Sequence, residues 1–463
     1  MASEIRALQE AGEAFKSGVF KLQIEETLNE VSFSEPTASA VRSLLFKIRD
    51  VLATCSPEKN PVASSDSEVE ANGIKVRVPI EQHIIDQTWN FIPPTRENVH
   101  VVGSWTSKTS IRKKTGRTPI DMFVGMNSEM FEPKDFRDYR FHRKHAAFIA
   151  RLATVLKSSA LPLSVEYTSS VSLNGSFVLP SLLIVPDSSL LPKKGRKLCI
   201  LLHAGPESLV FPLKKLALGR ENVREGLLDQ NQTNIYNWTV ARSQLTLTFQ
   251  SLMHSTSLRA TAFADAVKLG SIWLQQRNFT LVKTGFGTFE FALLLAFLLK
   301  KPARLPAGCS SYQLFRGALL FLAEHINGSI NLRLDVDVVE YTDASSEQGL
   351  ENKRLRLCVD GVDMLANVHL FAFDLLQQEA LSSTDMLNDL ARDRFAALFL
   401  TPQSLSQARY ELNLEIKLSE PTESASLMHV LSILLRKAWE SRCICFSLTA
   451  DNNGSQNTCS LND

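Results

Sequence analysis

No stretch of this chain is apolar for long enough to span a bilayer: its longest run, FALLLAFLL at Phe291 to Leu299, is about half of the ~20 residues a spanning helix needs. Its seven cysteines are odd in number and scattered, with no CxxC pair and no Cys/His set at zinc-ligand spacing. That argues against a structural metal and suits a reducing compartment. Net charge is nearly absent too, with 50 Lys and Arg against 49 Asp and Glu, so a polyanion cannot be held across the whole surface and any charged partner must be sought in patches. The opening MASEIRALQEAGEAF is amphipathic and partly acidic, without the basic start and apolar core of a secretory signal. A soluble, intracellular protein with no membrane partner is expected.

What is present is apolar content for real cores. With 463 residues and 44% hydrophobic side chains, two or three domains are expected. Residues 1–55 carry helical spacing through Ile5, Leu8, Phe15, Leu22, Ile24 and Leu28 and again through Val41, Leu44, Leu45, Ile48 and Leu52. This helical region is expected to pack on something else. Residues 56–75 include SPEKNPVASSDSEVEAN, rich in Ser, Pro and acid, and read as a flexible linker in which Ser65 and Ser67 are candidate phosphorylation sites.

Residues 76–235 have the pattern of a mixed α/β domain, with strands near 99–104, 119–126, 163–171, 177–185 and 197–202 and a long helix over 134–158. The strands are continuous apolar runs, which implies a deeply packed sheet. After a loop at Asn231 to Asn237, residues 236–400 read as an α+β domain, with helices near 261–276, 288–300 and 310–326 and strands in SINLRLDVDVV and RLRLCVD. In GFGTFEF, Thr288 is placed to cap a helix after two glycines. Residues 401–463 hold YELNLEIKL and ASLMHVLSILLRKAW, a strand and a helix that start a further unit too short for a comparable core.

The stretch VVGSWTSKTSIRKKTGRTPIDMFVGM, residues 101–126, has the order that nucleotidyl transfer uses: an apolar strand, Gly103-Ser104, a loop, then Asp121 on the next strand. That chemistry clamps two divalent metals between carboxylates and holds a triphosphate on backbone N–H groups. The second carboxylate is missing, because its position is Phe123. The third is expected on FVLPSLLIVPD, which has no acid before Asp187. One carboxylate cannot hold two strongly hydrated magnesium ions. A phosphate-loop reading from Gly103 and Lys108-Thr109 fails, since Ser107 stands where a glycine is required.

Ten segments in order, among them VVGSW, TPIDMFVGM, FRDYRFHRKHAAFIA, KLCILLHAGP, TNIYNWTVARS, LGSIWLQQRNF, GFGTFEFALLLAFLL and SYQLFRGALLFLA, resemble the Nrap family of nucleolar RNA-associated proteins over roughly 97–400. The resemblance implies an α+β fold: a nucleotidyltransferase-like mixed-sheet domain, then a helical domain of the poly(A)-polymerase/oligoadenylate-synthetase type, with a truncated start of a further nucleotidyltransferase-like module. It further implies a non-catalytic scaffold of the small-subunit processome, acting in pre-rRNA processing and 40S ribosomal subunit biogenesis in the nucleolus. Its partners would be pre-rRNA, small nucleolar RNA and other processome proteins, with no cofactor and no small-molecule substrate.

Phosphate contact is expected from Lys108, Arg112, Lys113, Lys114 and Arg117 in the loop and from Arg140, Arg143 and Lys144 on the following helix, where a solvated face is the plainer reading. Helical spacing puts Tyr139 near Arg143 and Arg140 on one edge, with Phe141, Phe148 and Ile149 toward the core. His142 and His145 have metal-capable spacing but no third ligand nearby, so an ordinary half-buried pair is expected. Two other functions stand beside the scaffold: an active nucleotidyltransferase using Asp121 with Glu166 or Asp187, and a pure protein-docking module.

Overall fold

The structure, a computed structural model, describes residues 18–59, 68–71, 74–77, 90–113, 116–169, 179–217, 219–223, 230–277, 279, 285–300, 304–326, 330–335, 338–343, 354–366, 368, 370–389, 393–401, 447–452 and 455–460. Among the described residues no helix is long and apolar enough to cross a membrane.

The N-terminal pattern forms two helices, α1 over 18–31 and α2 over Glu35–Leu52. Pro36, in the first turn of α2, lacks the N–H that would have no helical partner there. The two helices pack on different units. Val41, Leu44, Leu45, Ile48 and Leu52 of α2 join the core under the sheet. Ile24 and Leu28 of α1 join the core of the helical domain, where Phe20 meets Tyr312 and Phe395 edge-on at 5.2 and 5.4 Å. Leu22, expected on the apolar face, is exposed. The pair is therefore a strap across both units.

Five strands follow: β1 (Val99–Val102), β2 (Thr118–Met126), β3 (Leu163–Ser169), β4 (Pro180–Pro186) and β5 (Leu198–Pro206). They lie in the order β1-β2-β5-β4-β3, with β2 and β5 parallel and every other neighbour antiparallel. Alternation sends Ile120, Met122, Val124, Leu182, Ile184, Ile200 and Leu202 to one face, covered by α2 and by α4 (Arg140–Ser158). The other face carries Asp121, Phe123, Cys199, Leu201 and His203 and looks toward α5 (Gln230–Ser243) and α6 (Thr246–Arg259). Between β1 and β2 runs a single turn of helix, α3 (Gly103–Thr106).

Several elements differ from the sequence expectation. The helix expected from 134 begins at Arg140, because Asp138 and Tyr139 take left-handed φ values of 50° and 60° and break the ladder. The loop expected at Asn231 to Asn237 is helical, within α5. Its polar sequence hid it: Asn237 is fully buried with its amide donating to the Arg220 carbonyl at 2.7 Å and its oxygen accepting from Asn222 at 2.8 Å. Part of the expected linker is ordered, since Glu68–Ala71 pairs with Ile74–Arg77 as a hairpin; residues 60–67, with Ser65 and Ser67, lie outside the described residues. So do residues 1–17 and the expected strand and helix of 402–446, beyond which Ser447–Asn452 and Ser455–Ser460 pair antiparallel.

The second unit buries α7 (Phe263–Gln276), α8 (Thr288–Leu299), α9 (Ser311–His325), α10 (Leu370–Asn388) and α11 (Phe395–Phe399) around one core. Beside them lies a sheet of β6 (Ile330–Asp335), β7 (Val338–Asp343), β8 (Arg356–Val359) and β9 (Val362–Asp363). Thr288 is the first helical residue of α8 and not its cap; Gly287 holds that place and its N–H donates to Glu290 at 2.9 Å. Arg277, fully buried at the end of α7, donates to Glu379 of α10 at 2.7 Å and to the Leu398 carbonyl of α11 at 3.1 Å. Removing one member of a buried pair strands the other charge, so Glu379→Ala is expected to cost about 3–5 kcal/mol. A urea titration checks this: a midpoint shift no larger than that of a surface Glu→Ala variant would contradict it.

Candidate functional site

The turn after β1 is built around a missing side chain. Gly103 has φ 72°, and a Cβ there would lie 2.8 Å from Oδ2 of Asp121. Only glycine lets the backbone close on the carboxylate, which the β1–β2 register places opposite Val102. The Gly103 N–H donates to Gln250 on α6 at 2.9 Å, so the turn is tied to the facing helix. Ser104, in α3, lends its carbonyl to the Thr109 and Ser110 N–H groups at 2.8 and 3.0 Å, which folds the basic loop back.

Asp121 and His203 share the opposite face of the sheet, their side chains 29% and 28% exposed. The His203 Nε2 lies 3.3 Å from Oδ1 of Asp121 and donates to it, while Nδ1 meets the Ser181 hydroxyl at 2.9 Å. Phe123, two residues along β2, is fully buried. Its ring sits beneath Gly205, where a Cβ would come within 3.1 Å of the ring and 2.9 Å of the Ser243 carbonyl at the end of α5. The absence of that Cβ lets α5 press onto the sheet.

The third acid was expected on the strand now seen as β4. The strand beside β2 is β5 instead, and the polar side chain it brings next to Asp121 is His203. Glu166 shares the row of Asp121 through Leu183 and Leu201, but three strand spacings put it ~14 Å away. Asp187 lies past the far end of β4, where its Oδ1 accepts from the Ser189 N–H at 2.8 Å. Paired divalent ions ~4 Å apart need several carboxylates around them. The face offers one carboxylate, one imidazole and a phenyl ring, which do not fit such a pair; among the described residues no group of three His, Cys, Asp or Glu could hold a metal.

The expected phosphate contacts separate into different kinds. Lys108, Arg112, Lys113 and Arg117 are exposed, and Lys114 lies outside the described residues. Arg112 docks α1 through its N–H to the Val31 carbonyl at 2.8 Å and its guanidinium to the Glu30 carbonyl at 2.9 Å. Burial raises the Cys199 thiol, and the charges of Arg117 and Lys113 pull it back down. Arg140 and Arg143 are half-buried, and burial lowers the pKa of Arg143. Lys144 is not a surface cation: it is buried, with Nζ 2.6 Å from Asp135 and 2.8 Å from the Met130 carbonyl. Tyr139, expected on an exposed edge, is buried against Tyr236, with ring centroids 4.9 Å apart. Phe141, Phe148 and Ile149 face the core as expected.

A mixed sheet with a Gly-Ser turn and an aspartate on its second strand, faced by a helical domain, defines a nucleotidyltransferase-like fold followed by a poly(A)-polymerase/oligoadenylate-synthetase-like domain. The family description "Nrap protein domain 1" matches residues 59–259, and "Nrap protein PAP/OAS-like domain" matches 262–402. The chain belongs to the Nrap family. It is 29% identical over 454 residues to U3 small nucleolar RNA-associated protein 22 of Saccharomyces cerevisiae, covering 90% of this chain and 36% of that one. It is 28% identical over 426 residues to Nucleolar protein 6 of Homo sapiens, covering 88% and 35%. The chain thus spans about a third of the length of these relatives. Among solved structures, a cytoplasmic RNA terminal U-transferase shares the fold with a TM-score of 0.50 at 11% identity, over 84% of this chain and 100% of that one.

His142 and His145, expected half-buried, are fully buried on α4. His142 stacks on Tyr236 with centroids 5.0 Å apart, and Nε2 of His145 lies 3.0 Å from the Ala204 carbonyl. Burial holds them down to about 3 and about 4 respectively, against an ordinary 6.5. Because the folded values are depressed, the unfolded chain binds protons that the native state refuses between pH 6.5 and about 4. Stability therefore falls as pH drops through that window, by about 1.4 kcal/mol per unit for each histidine. Urea midpoints at pH 7 and pH 5 check it. His142→Phe is expected to flatten the dependence, and an unchanged slope would remove His142 as a cause.

Proposed function

We propose that this chain is part of a non-catalytic nucleolar scaffold that holds RNA in the assembly processing pre-ribosomal RNA. The observation that carries this is the cleft face: the fold of a nucleotidyltransferase is kept, with Gly103 and Ser104 in the turn and Asp121 behind it, while the residues beside Asp121 on that face are Phe123 and His203. Two relatives named for the nucleolus and for U3 small nucleolar RNA support the setting, and partners of that kind, small nucleolar RNA, pre-rRNA and processome proteins, are proposed for this chain. The distance of Glu166 and the position of Asp187 count against the active-enzyme reading.

RNA contact is assigned to Lys108, Lys113 and Arg117, the exposed cations of the loop, and no longer to Lys144. Each phosphate neutralised on a single strand contributes about 0.7 to the slope of log affinity against log salt. The Lys113→Gln/Arg117→Gln variant is expected to weaken single-stranded RNA binding and to lower that slope by about 1 to 2. RNA crosslinking with peptide mapping should place adducts in the 108–117 loop, with no nucleotide incorporation in magnesium or manganese. Incorporation lost in Asp121→Asn would establish an enzyme instead. An RNA affinity indifferent to both substitutions would favour the protein-docking reading.

A further inference from the structure

The residues of the cleft face do not fit a pair of divalent ions, and the misfit is specific in form. Asp121 is not left bare by the absence of neighbouring carboxylates. It accepts a hydrogen bond from His203 on the adjoining strand, and His203 is oriented in turn by Ser181 one strand further on. Ser, His and Asp in a chain invite comparison with a hydrolytic triad. Ser181 is only 2% exposed on β4, so no substrate carbonyl can reach its hydroxyl.

We infer that His203 stands where a third metal-binding carboxylate would have to be, and that His203 and Ser181 are a positioning pair that satisfies Asp121 from inside the protein in place of a cation. The inference rests on the non-catalytic reading of this cleft and names what closed it. Position 203 is the place for such a ligand because its side chain already reaches the Asp121 oxygen. Position 123 shares the face of Asp121 on the same strand. Carboxylates at 121, 123 and 203 would share one face of two adjoining strands, where a cation between them would offset their repulsion.

The test uses the purified chain and manganese alone, with free Mn²⁺ read by electron paramagnetic resonance. The Phe123→Asp/His203→Asp variant is expected to bind Mn²⁺ about 10- to 100-fold more tightly than the unaltered chain, and to lose that gain when Asp121→Asn is added. Where the double variant fails to fold, His203→Asp alone keeps the Phe123 packing and is expected to bind about tenfold more tightly than the unaltered chain. In melting experiments His203→Gln, which keeps a donor, should stay near the unaltered chain while His203→Leu melts earlier. Folded carboxylate variants that bind no Mn²⁺, an unaltered chain whose Mn²⁺ binding disappears in Asp121→Asn, or a His203→Leu melt equal to that of His203→Gln would each overturn the inference. Failure of the carboxylate variants leaves the scaffold reading intact, whereas nucleotide transfer by the unaltered chain overturns that reading independently.

Discussion

The bare backbone of Gly205, close to both the Phe123 ring and the Ser243 carbonyl, sets how closely the end of α5 approaches the sheet. Its consequences run outward along α5. Trp238 donates from its indole to the Asp363 carbonyl of the second unit at 2.8 Å, and Arg242 lies 5.0 Å from both the Trp238 and Phe289 rings while facing Glu290. The end of α5 that meets the sheet at Gly205 therefore also holds α8 and β9. Gln250 on α6 completes the closure by accepting from Gly103. The approach of the two units is set where Gly205 lacks a side chain, and the strap of α1 and α2 ties the same two units.

Burial divides the cations of this region in a way that their sequence order conceals. Arg143, Lys144 and the loop residues read alike as a basic cluster. Lys144, however, is buried against Asp135, where an ion pair is bound by the cost of leaving either charge alone. Arg112 is exposed yet committed to the last carbonyls of α1, which have no partner within their own helix. Among the described residues, Lys113 and Arg117 are exposed cations of the same loop. The exposed charge of this region is thus narrower than the sequence cluster.

Much of the fold was legible from apolar spacing, because β2, β4, α7, α8 and α9 are long, strongly patterned and ended by clear signals. Two failures have physical causes. Asn237 and its neighbours read as a loop because a helix that satisfies buried amides with backbone carbonyls lacks the usual apolar stripe. The place of the third acid was misassigned because strand order is not written in strand sequence: β3 and β4 come first along the chain but lie outside β5, which takes the seat beside β2. Gly103, Asp121 and Phe123 could be found by motif. His203 could not, since it becomes a neighbour of Asp121 only once that parallel pairing exists.

The character of the face follows from electrostatics. Like carboxylates held a few ångströms apart repel unless cations lie between them, and a partly buried site screens that repulsion weakly. Keeping Asp121 while position 123 is a phenyl ring and position 203 an imidazole removes the repulsion at both points. The phenyl ring packs beside the bare backbone of Gly205, and the imidazole gives Asp121 a hydrogen-bond donor. The Gly103 turn, shaped to the Asp121 carboxylate, then has a reason to persist that does not involve transfer chemistry: it still closes the end of β1 against α6. Asp121, Phe123 and His203 are in this sense one arrangement, in which packing at Gly205 and a hydrogen bond from His203 hold the Asp121 face together.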